Sequence, residues 1–230
     1  MLIAHSNETA RPIFKSEDQL FTLYQGDCNE ILPQFENQFD LIFADPPYFL
    51  SNDGLSIQSG KIVSVNKGDW DKEDGIDDID EFNYQWINNA KKALKNTGSL
   101  LISGTYHNIF SLGRILQKLD FKILNLITWK KTNPPPNFSC RYLTHSAEQT
   151  TQKPLALLVC LLLMASDGNS LIGDPFSGSS TTGIAANLLK REFIGIEKES
   201  EFIKISMDRK IELDARFKEI RSKIKDLNLQ

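Results

Sequence analysis

The chain has 230 residues, of which 40% are hydrophobic and 24% charged, and this size and composition predict one large α/β domain with its own core. Its net charge of −4 gives no bulk signal for a nucleic-acid partner, although a local basic surface could still bind phosphate groups. The three cysteines are scattered, and no targeting peptide or membrane-spanning run is evident, so we expect a soluble cytoplasmic protein with reduced thiols and no metal site.

The first predicted elements are an arm, a strand and a short helix. Residues 1–18 are polar and are expected to form a loosely held N-terminal arm in front of a single domain at 19–230. Residues 20–25 predict a strand, after which Asp27 and Cys28 begin a short helix. Asp27 either caps this helix or, in a nucleotide-binding sheet, lies near a bound adenine, and the sequence favours neither interpretation.

Asp45-Pro46-Pro47-Tyr48, which we call the DPPY motif, directly follows a predicted buried strand at 39–44. Open α/β sheets bind ligands at the carboxyl ends of their strands. Neither proline has an N–H, and the second keeps the first extended, so the Pro46 carbonyl stays available. A carboxylate, a carbonyl and an aromatic face suit a flat ring with an exocyclic amino group. The alternative is an ordinary Pro-Pro turn in which Tyr48 covers the core.

The rest of the chain alternates between strands and helices. Residues 50–79 have no clear period and are interpreted as a functional loop anchored by Trp70. Helices are predicted at 81–94, 108–119, 153–166 and 199–226, strands at 100–103, 171–173 and 193–197, and an antiparallel edge strand at 121–130. The alternation predicts a largely parallel sheet covered on both faces. The last helix is interpreted as structural, with a homodimer contact as the other interpretation.

Residues 174–183, which we call the Gly-Ser turn, connect a predicted strand to a helix. Gly and Ser let a ligand approach the backbone, and the N–H groups and the hydroxyls of Ser179, Thr181 and Thr182 can bind carboxylate or hydroxyl groups. The turn has neither a P-loop lysine nor G-x-G-x-x-G. Glu197 ends the next strand, where an acidic residue commonly binds ribose. These features indicate a nucleoside with an amino-acid tail, and the alternative is an ordinary capped helix start.

The DPPY motif, the Gly-Ser turn (D-P-F-S-G-S-S-T-T-G) and T-Q-K-P at 151–154 resemble the S-adenosylmethionine-dependent amino-methyltransferases of restriction–modification systems. The order is the β order of that family, in which the catalytic motif precedes the cofactor motif. The resemblance covers about residues 20–197. Residues 43–52 and 133–137 look most similar to the adenine enzymes that act on GATC.

This resemblance implies a circularly permuted Rossmann-like methyltransferase that transfers a methyl group from S-adenosylmethionine to adenine N6 in DNA. It implies that the target base is flipped out of the duplex and contacts Asp45, Pro46, Pro47 and Tyr48, with Tyr48 stacking on the ring. Cofactor contacts are implied for Asp27, Cys28, Asp45, Lys153, Asp174, Phe176, Ser177, Gly178, Ser179, Thr181, Thr182 and Glu197.

Other functions stay open at this point. Cytosine N4 is a ring-conjugated amine like adenine N6, so the DPPY motif does not separate the two targets. Methyltransferases of RNA or protein more often begin this motif with Asn, and Asp45 therefore weighs against them. A further alternative is a protein that binds the cofactor but transfers nothing.

The sequence departs from the family pattern at two places. Ser180 stands where the family has Gly, and if the position requires a positive φ, a serine costs about 1 kcal/mol there. The family also carries a segment that reads the DNA sequence directly before T-Q-K-P, whereas here Thr150 alone joins Gln149 to Thr151. Either the segment was dropped from this sequence or this variant truly lacks it.

Overall fold

The computed structural model describes residues 10–47, 55–58, 61–64, 76–105, 108–129 and 153–226. The chain forms two compact units, each built from separate stretches of sequence. The first unit contains Met1–Ala44, Ala90–Leu101 and Gln152–Gln230, and the second contains Asp45–Asn89 and Ile102–Thr151. The assignment of 19–230 to one functional domain stays a prediction.

Strands and helices alternate along the described residues, as the sequence predicts. The strands are β1 (Phe14–Lys15), β2 (Phe21–Gln25), β3 (Phe39–Ala44), β4 (Leu55–Gln58), β5 (Lys61–Ser64), β6 (Leu94–Ile102), β7 (Leu171–Asp174) and β8 (Glu192–Glu197). The helices are α1 (Cys28–Ile31), α2 (Ile76–Ala93), α3 (Ile109–Lys118), α4 (Leu155–Ala165), α5 (Thr181–Leu188) and α6 (Ser200–Asp226), and a short 3₁₀ helix spans Leu32–Phe35. No described helix is both long and apolar enough to cross a membrane.

Six strands form one sheet in the order β1-β2-β8-β7-β3-β6. β2 pairs with β8, β8 with β7, and β7 with β3, all in parallel. From β3 the chain moves outward to β6, whereas from β7 it moves the opposite way to β8. The winding therefore reverses between β3 and β7, which is where open α/β sheets bind their ligands.

The core of the first unit lies where strands pack on helices. Apolar side chains that are almost completely buried come from β2, β3, β7 and β8 and from α4, α5 and α6: Phe21, Leu23, Leu41, Leu158, Leu162, Ile172, Ile184, Phe193 and Ile203. Most side chains of these strands are apolar because the strands are buried on both faces, although Thr22 lies within β2 and Asp40 within β3. The core thus fixes the positions of the strand ends.

The predicted edge strand at 121–130 is wrong for the described residues 121–129, which have no strand pairing. Side chains of both parities are exposed there, including Leu124, Leu126 and Ile127, so the alternation in the sequence does not correspond to a buried face. The antiparallel edge strand of the sheet is instead β1, which pairs with β2. Part of the expected loose arm therefore belongs to the sheet.

The predicted loop at 50–79 contains a β-hairpin. β4 and β5 pair antiparallel, with Gln58 opposite Lys61. β4 alternates apolar and polar residues, β5 has two β-branched apolar residues at its centre, and Ser59-Gly60 lie between the two strands. Two short strand-forming runs separated by Ser-Gly are a hairpin signal that the sequence analysis missed. Trp70 lies outside the described residues.

Candidate active site

Three acidic side chains of the first unit lie at the carboxyl edge of the sheet. Asp174 ends β7, Glu197 ends β8, and Asp27 follows β2 by two residues. β2 and β8 are joined beyond their last ladder pair, because the Gly26 N–H donates to the Glu197 carbonyl at 3.0 Å. The structure therefore brings together the predicted cofactor residues that follow neighbouring parallel strands.

The Gly-Ser turn begins with a hydrogen bond from its backbone to the side chain of its first residue. The Asp174 carboxylate accepts the Phe176 N–H at 3.0 Å, and the Ser177 N–H donates to the Ile196 carbonyl of β8 at 3.0 Å. Gly178 and Ser180 both have a positive φ, of 49° and 54° respectively. Position 180 therefore does require the left-handed conformation, and its serine carries a strain of about 1 kcal/mol that a glycine would not.

Glu197 contacts the turn directly. One carboxylate oxygen accepts the Gly178 N–H at 2.7 Å, and the other accepts the Glu199 N–H at 2.8 Å. Burial raises the pKa of Glu197 above its ordinary value, and the backbone N–H donors of Glu199, Gly178 and Lys198 offset only part of that effect. Each oxygen keeps acceptor capacity beyond one N–H, so this carboxylate can also accept a hydrogen from a ligand hydroxyl.

A chain of buried hydroxyls joins the turn to α6. Ser177 Oγ and Ser180 Oγ are 2.7 Å apart, and Ser180 Oγ donates to Ser206 Oγ at 2.8 Å. Ser206 Oγ in turn donates to the Gly178 carbonyl at 2.9 Å. Ser180 and Ser206 are both completely buried. The strained residue is thus hydrogen-bonded on both sides.

Arg209, one helical turn beyond Ser206, also contacts the turn. Its Nη1 donates to the Ser179 carbonyl and lies 3.1 Å from Ser179 Oγ and 3.0 Å from Thr181 Oγ1. The sequence analysis missed both α6 residues. The available signal was Ser206 within the buried stripe of α6 that contains Ile203 and Lys210, since a polar residue on a buried helix face needs a partner.

Asp27 and Cys28 begin α1. The Asp27 carboxylate accepts the Asn29 N–H at 2.8 Å, so the capping interpretation is correct, and it leaves an adenine contact untested. Burial and, second, the Asp27 charge raise the pKa of Cys28 to about 12. The thiol is therefore neutral at physiological pH and offers a ligand an apolar contact rather than a nucleophile. Lys153, partly buried, precedes α4 by two residues.

In the second unit, the DPPY motif is described as far as Pro47, and Tyr48 lies outside the described residues. Asp45 follows the last residue of β3, and its carboxylate accepts the hydroxyl hydrogen of Ser103, which follows β6. Asp45 is partly buried, Pro46 buried and Pro47 partly buried. A hydroxyl that donates to one carboxylate oxygen fixes the orientation of the other.

The described residues contain no group of three or more His, Cys, Asp and Glu side chains that could bind a metal ion. The polar groups at the carboxyl edge of the sheet in the first unit are carboxylates, hydroxyls, backbone N–H groups and the Arg209 guanidinium. This donor set suits an organic ligand with hydroxyl, amino and carboxylate groups.

A sequence profile of the N6/N4 DNA methylase family matches residues 39–150 and 146–208. Type II methyltransferase M2.MboI of Moraxella bovis is 44% identical, and the alignment includes 86% of this chain and 90% of the relative. Type II methyltransferase M2.DpnII of Streptococcus pneumoniae is 43% identical, over 74% of this chain and 81% of the relative. The solved M1.HpyAVI–SAM complex shares the fold, with a TM-score of 0.61 and 24% identity over 82% of this chain and 99% of that chain. The chain therefore belongs to the DNA methylase family and is an S-adenosylmethionine-dependent DNA methyltransferase.

Proposed function

We propose that this methyltransferase modifies the N6 amino group of adenine at a specific DNA sequence, as the modification enzyme of a restriction–modification system. The observation that carries the proposal is Asp45, which follows β3, accepts the Ser103 hydroxyl hydrogen and precedes two prolines that have no N–H. The type II role of M2.MboI and M2.DpnII supports the restriction–modification context. The similarity of residues 43–52 to GATC-acting enzymes supports adenine and a GATC site.

The first unit fits S-adenosylmethionine by the chemistry of its donors and acceptors. Glu197 would accept hydrogens from the ribose hydroxyls, and the positive end of the α5 dipole would favour the amino-acid carboxylate. When bound, the cofactor supplies a methyl group on a positively charged sulfur. The residues proposed to bind it are Asp27, Cys28, Asp45, Lys153, Asp174, Phe176, Ser177, Gly178, Ser179, Thr181, Thr182 and Glu197.

The DPPY motif would activate the target amine. The N6 lone pair of adenine is delocalised into the ring, so the free base is a poor nucleophile. Asp45 and the Pro46 carbonyl would accept the two N6 hydrogens, favour a pyramidal nitrogen and stabilise the positive charge that develops on it. Pro47 would keep the carbonyl in place, and Tyr48 would stack on a base flipped out of the duplex.

Cytosine N4 is the second candidate target. The matching family profile covers both N6 and N4 methylases, and the two acceptors of the motif would serve either amine equally. The GATC-like residues favour adenine, so we place cytosine second.

We also propose that this chain lacks the internal recognition segment near 149–151. The alignment with M2.MboI runs over 247 positions, more than the 230 residues of this chain, although it includes only 86% of them. The relative therefore has residues without a counterpart here. The two stretches matched by the family profile meet at 146–150, the same point of the chain. The specific site proposed above would then have to be selected by other residues of this chain, and without such residues DNA would be methylated with weak sequence preference.

Transfer of a tritiated methyl group to single- and double-stranded DNA, followed by digestion and mass analysis of the nucleosides, tests the target. We expect N6-methyladenine, and N4-methylcytosine alone would replace the first candidate by the second. Asp45→Ala should abolish transfer while cofactor binding largely survives, since Asp45 is one of many proposed cofactor contacts, and Asp40→Asn, earlier on β3, is the matched control that should retain transfer. Cofactor binding by the wild type without transfer to any DNA would contradict the proposal.

The size of the recognition effect has its own test. A specific reader typically loses about 1–3 kcal/mol for one mismatched base pair. If no other residues of this chain select the site, duplexes with and without GATC should be methylated at rates that differ by less than about 10-fold. A preference of several hundredfold would show that recognition residues lie elsewhere in this chain.

We place the enzyme in the cytoplasm, with its DNA substrate, and a homodimer through α6 stays a prediction that light scattering would test.

A further inference from the structure

The Gly-Ser turn receives hydrogen bonds from two side chains of α6, which follows it in the chain. Ser206 contacts Gly178 and Ser180, and Arg209 contacts Ser179. Four consecutive residues of the turn, including Thr181, thereby have a polar partner on one helix face. The contact is too extensive and too well buried to be a chance surface encounter, since Ser206 is completely buried.

Counting hydrogens fixes the direction of the hydroxyl chain, because each serine hydroxyl has one hydrogen to donate. Ser206 donates to the Gly178 carbonyl at 2.9 Å, so the hydrogen between Ser180 and Ser206 comes from Ser180. The hydrogen between Ser177 and Ser180 must then come from Ser177. The chain runs Ser177 to Ser180 to Ser206 to the Gly178 carbonyl, and bonds that point the same way strengthen one another.

Gly178 is held from both sides by this arrangement. Its N–H donates to Glu197, the residue proposed to bind ribose, and its carbonyl accepts from Ser206. Ser180, left-handed where the family has glycine, gains two hydrogen bonds that a glycine would not make. Removing Ser206 would leave the Ser180 hydroxyl without its acceptor in a completely buried place.

We propose that Ser206 and Arg209 are positioning residues that keep the Gly-Ser turn in its cofactor-binding shape, and that Ser206 compensates for the serine at position 180. The inference rests on the proposed cofactor role of the turn. We expect the loss of either residue to act on cofactor affinity and to leave the transfer step unchanged. α6 is thus part of the cofactor site as well as of the core.

Arg209→Met is compared with Arg216→Met, a matched change on the same helix whose side chain is 72% exposed. Calorimetry with S-adenosylmethionine and steady-state kinetics of the full chain supply the readouts. Arg209→Met should raise Kd and KM for the cofactor about 10-fold and leave kcat at saturating cofactor within about 2-fold, because hydrogen bonds from a charged donor are worth more than neutral ones. Arg216→Met should change neither, and Arg209→Lys should restore part of the affinity.

Ser206→Ala, alone and combined with Ser180→Gly, tests the compensation. In the wild-type background we expect about 10-fold weaker cofactor binding, and in the Ser180→Gly background about 3-fold, because no Ser180 hydroxyl is then left without an acceptor. An equal loss in both backgrounds would overturn the compensation. If both Ser206→Ala and Arg209→Met still transfer methyl groups and bind the cofactor as tightly as the wild type, the positioning role is overturned. A wild type that binds no cofactor would overturn the proposed function itself.

Discussion

The Gly-Ser turn and the DPPY motif obtain their shapes in different ways. The turn contains two left-handed residues and is held by side chains of β8 and α6. The described part of the motif, Asp45 to Pro47, contains two prolines whose rings restrict the backbone, and Ser103 donates to the Asp45 carboxylate. A turn held by many hydrogen bonds should lose cofactor affinity in graded steps, whereas the motif should lose transfer when one group is changed.

Gly195→Ala should have the largest effect, because the added methyl group would clash with Ser177 of the turn. A Cβ at Gly195 would lie 2.5 Å from Ser177 Oγ and 2.9 Å from Leu23 Cδ2. We expect a loss of stability of about 1–3 kcal/mol and cofactor binding weakened about 100-fold, since Ser177 begins the hydroxyl chain. Thermal unfolding and calorimetry measure the two effects.

Gly173→Ala is the matched control for that change. A Cβ there would lie 2.9 Å from the Phe39 ring, in the same sheet but against the core rather than the turn. It should destabilise the fold similarly and leave cofactor affinity within about 3-fold once the protein is folded. Equal losses of affinity in both variants would show that the turn responds to the whole sheet and has no separate support.

Glu197 should make cofactor affinity depend on pH. Burial raises the pKa of Glu197 above its ordinary value of 4.5, and the ionised form is the better hydrogen-bond acceptor. A raised pKa favours the protonated form as pH falls, so affinity should begin to fall at a pH above 4.5. Calorimetry across pH should show this fall in the wild type and in Glu201→Gln, an exposed control. Glu197→Gln should bind about 30-fold more weakly at neutral pH and show no such dependence, and a retained dependence would assign the titration to another group.

Ser103→Ala tests the DPPY motif by removing the hydroxyl that donates to Asp45. Without the hydroxyl donor the Asp45 carboxylate loses one orienting partner, so we expect kcat to fall about 10-fold and the cofactor Kd to stay within about 2-fold. Ser111→Ala, which removes a hydroxyl that donates to Asp80 in the same unit, should leave kcat unchanged. If both serines affect kcat equally, Ser103 acts through the stability of the unit and not through Asp45.

Much of the fold follows from local pattern. Apolar runs such as 39–44 predict β3, and the motif and turn lie directly after strands as expected. Family membership bears out the resemblance to amino-methyltransferases of restriction–modification systems, on which the fold and the cofactor expectations rested. The sequence did not predict β1, because a two-residue strand has no measurable period. It did not predict the partners of the turn either, because periodicity can indicate that a position such as 206 is buried but not which group it contacts across the fold.

Lys210→Met has the smallest expected effect. It tests whether α6 supports the Gly-Ser turn through Ser206 and Arg209 themselves. The Lys210 side chain is 1% exposed and forms ion pairs of 2.7 Å with Asp18 and Asp214, next to Arg209 on α6. Lys210→Met should lower the stability by about 1 kcal/mol, less than a fully buried pair would, because both carboxylates are partly exposed. Chemical denaturation measures this loss.

The pH dependence of that loss identifies the ion pair. Burial would raise the pKa of Asp18, but hydrogen bonds from Lys210 and Ser16 outweigh it, and the pKa lies below the ordinary value of 3.8. A lowered carboxyl pKa contributes stability that is present above that ordinary value and lost as pH falls through the folded-state value. The wild type should therefore lose more stability on acidification than Lys210→Met, while cofactor affinity at neutral pH stays equal in both. Weaker cofactor binding in Lys210→Met would mean that the position of the whole helix α6 holds the turn. The contacts of Ser206 and Arg209 with the turn would then depend on this ion pair.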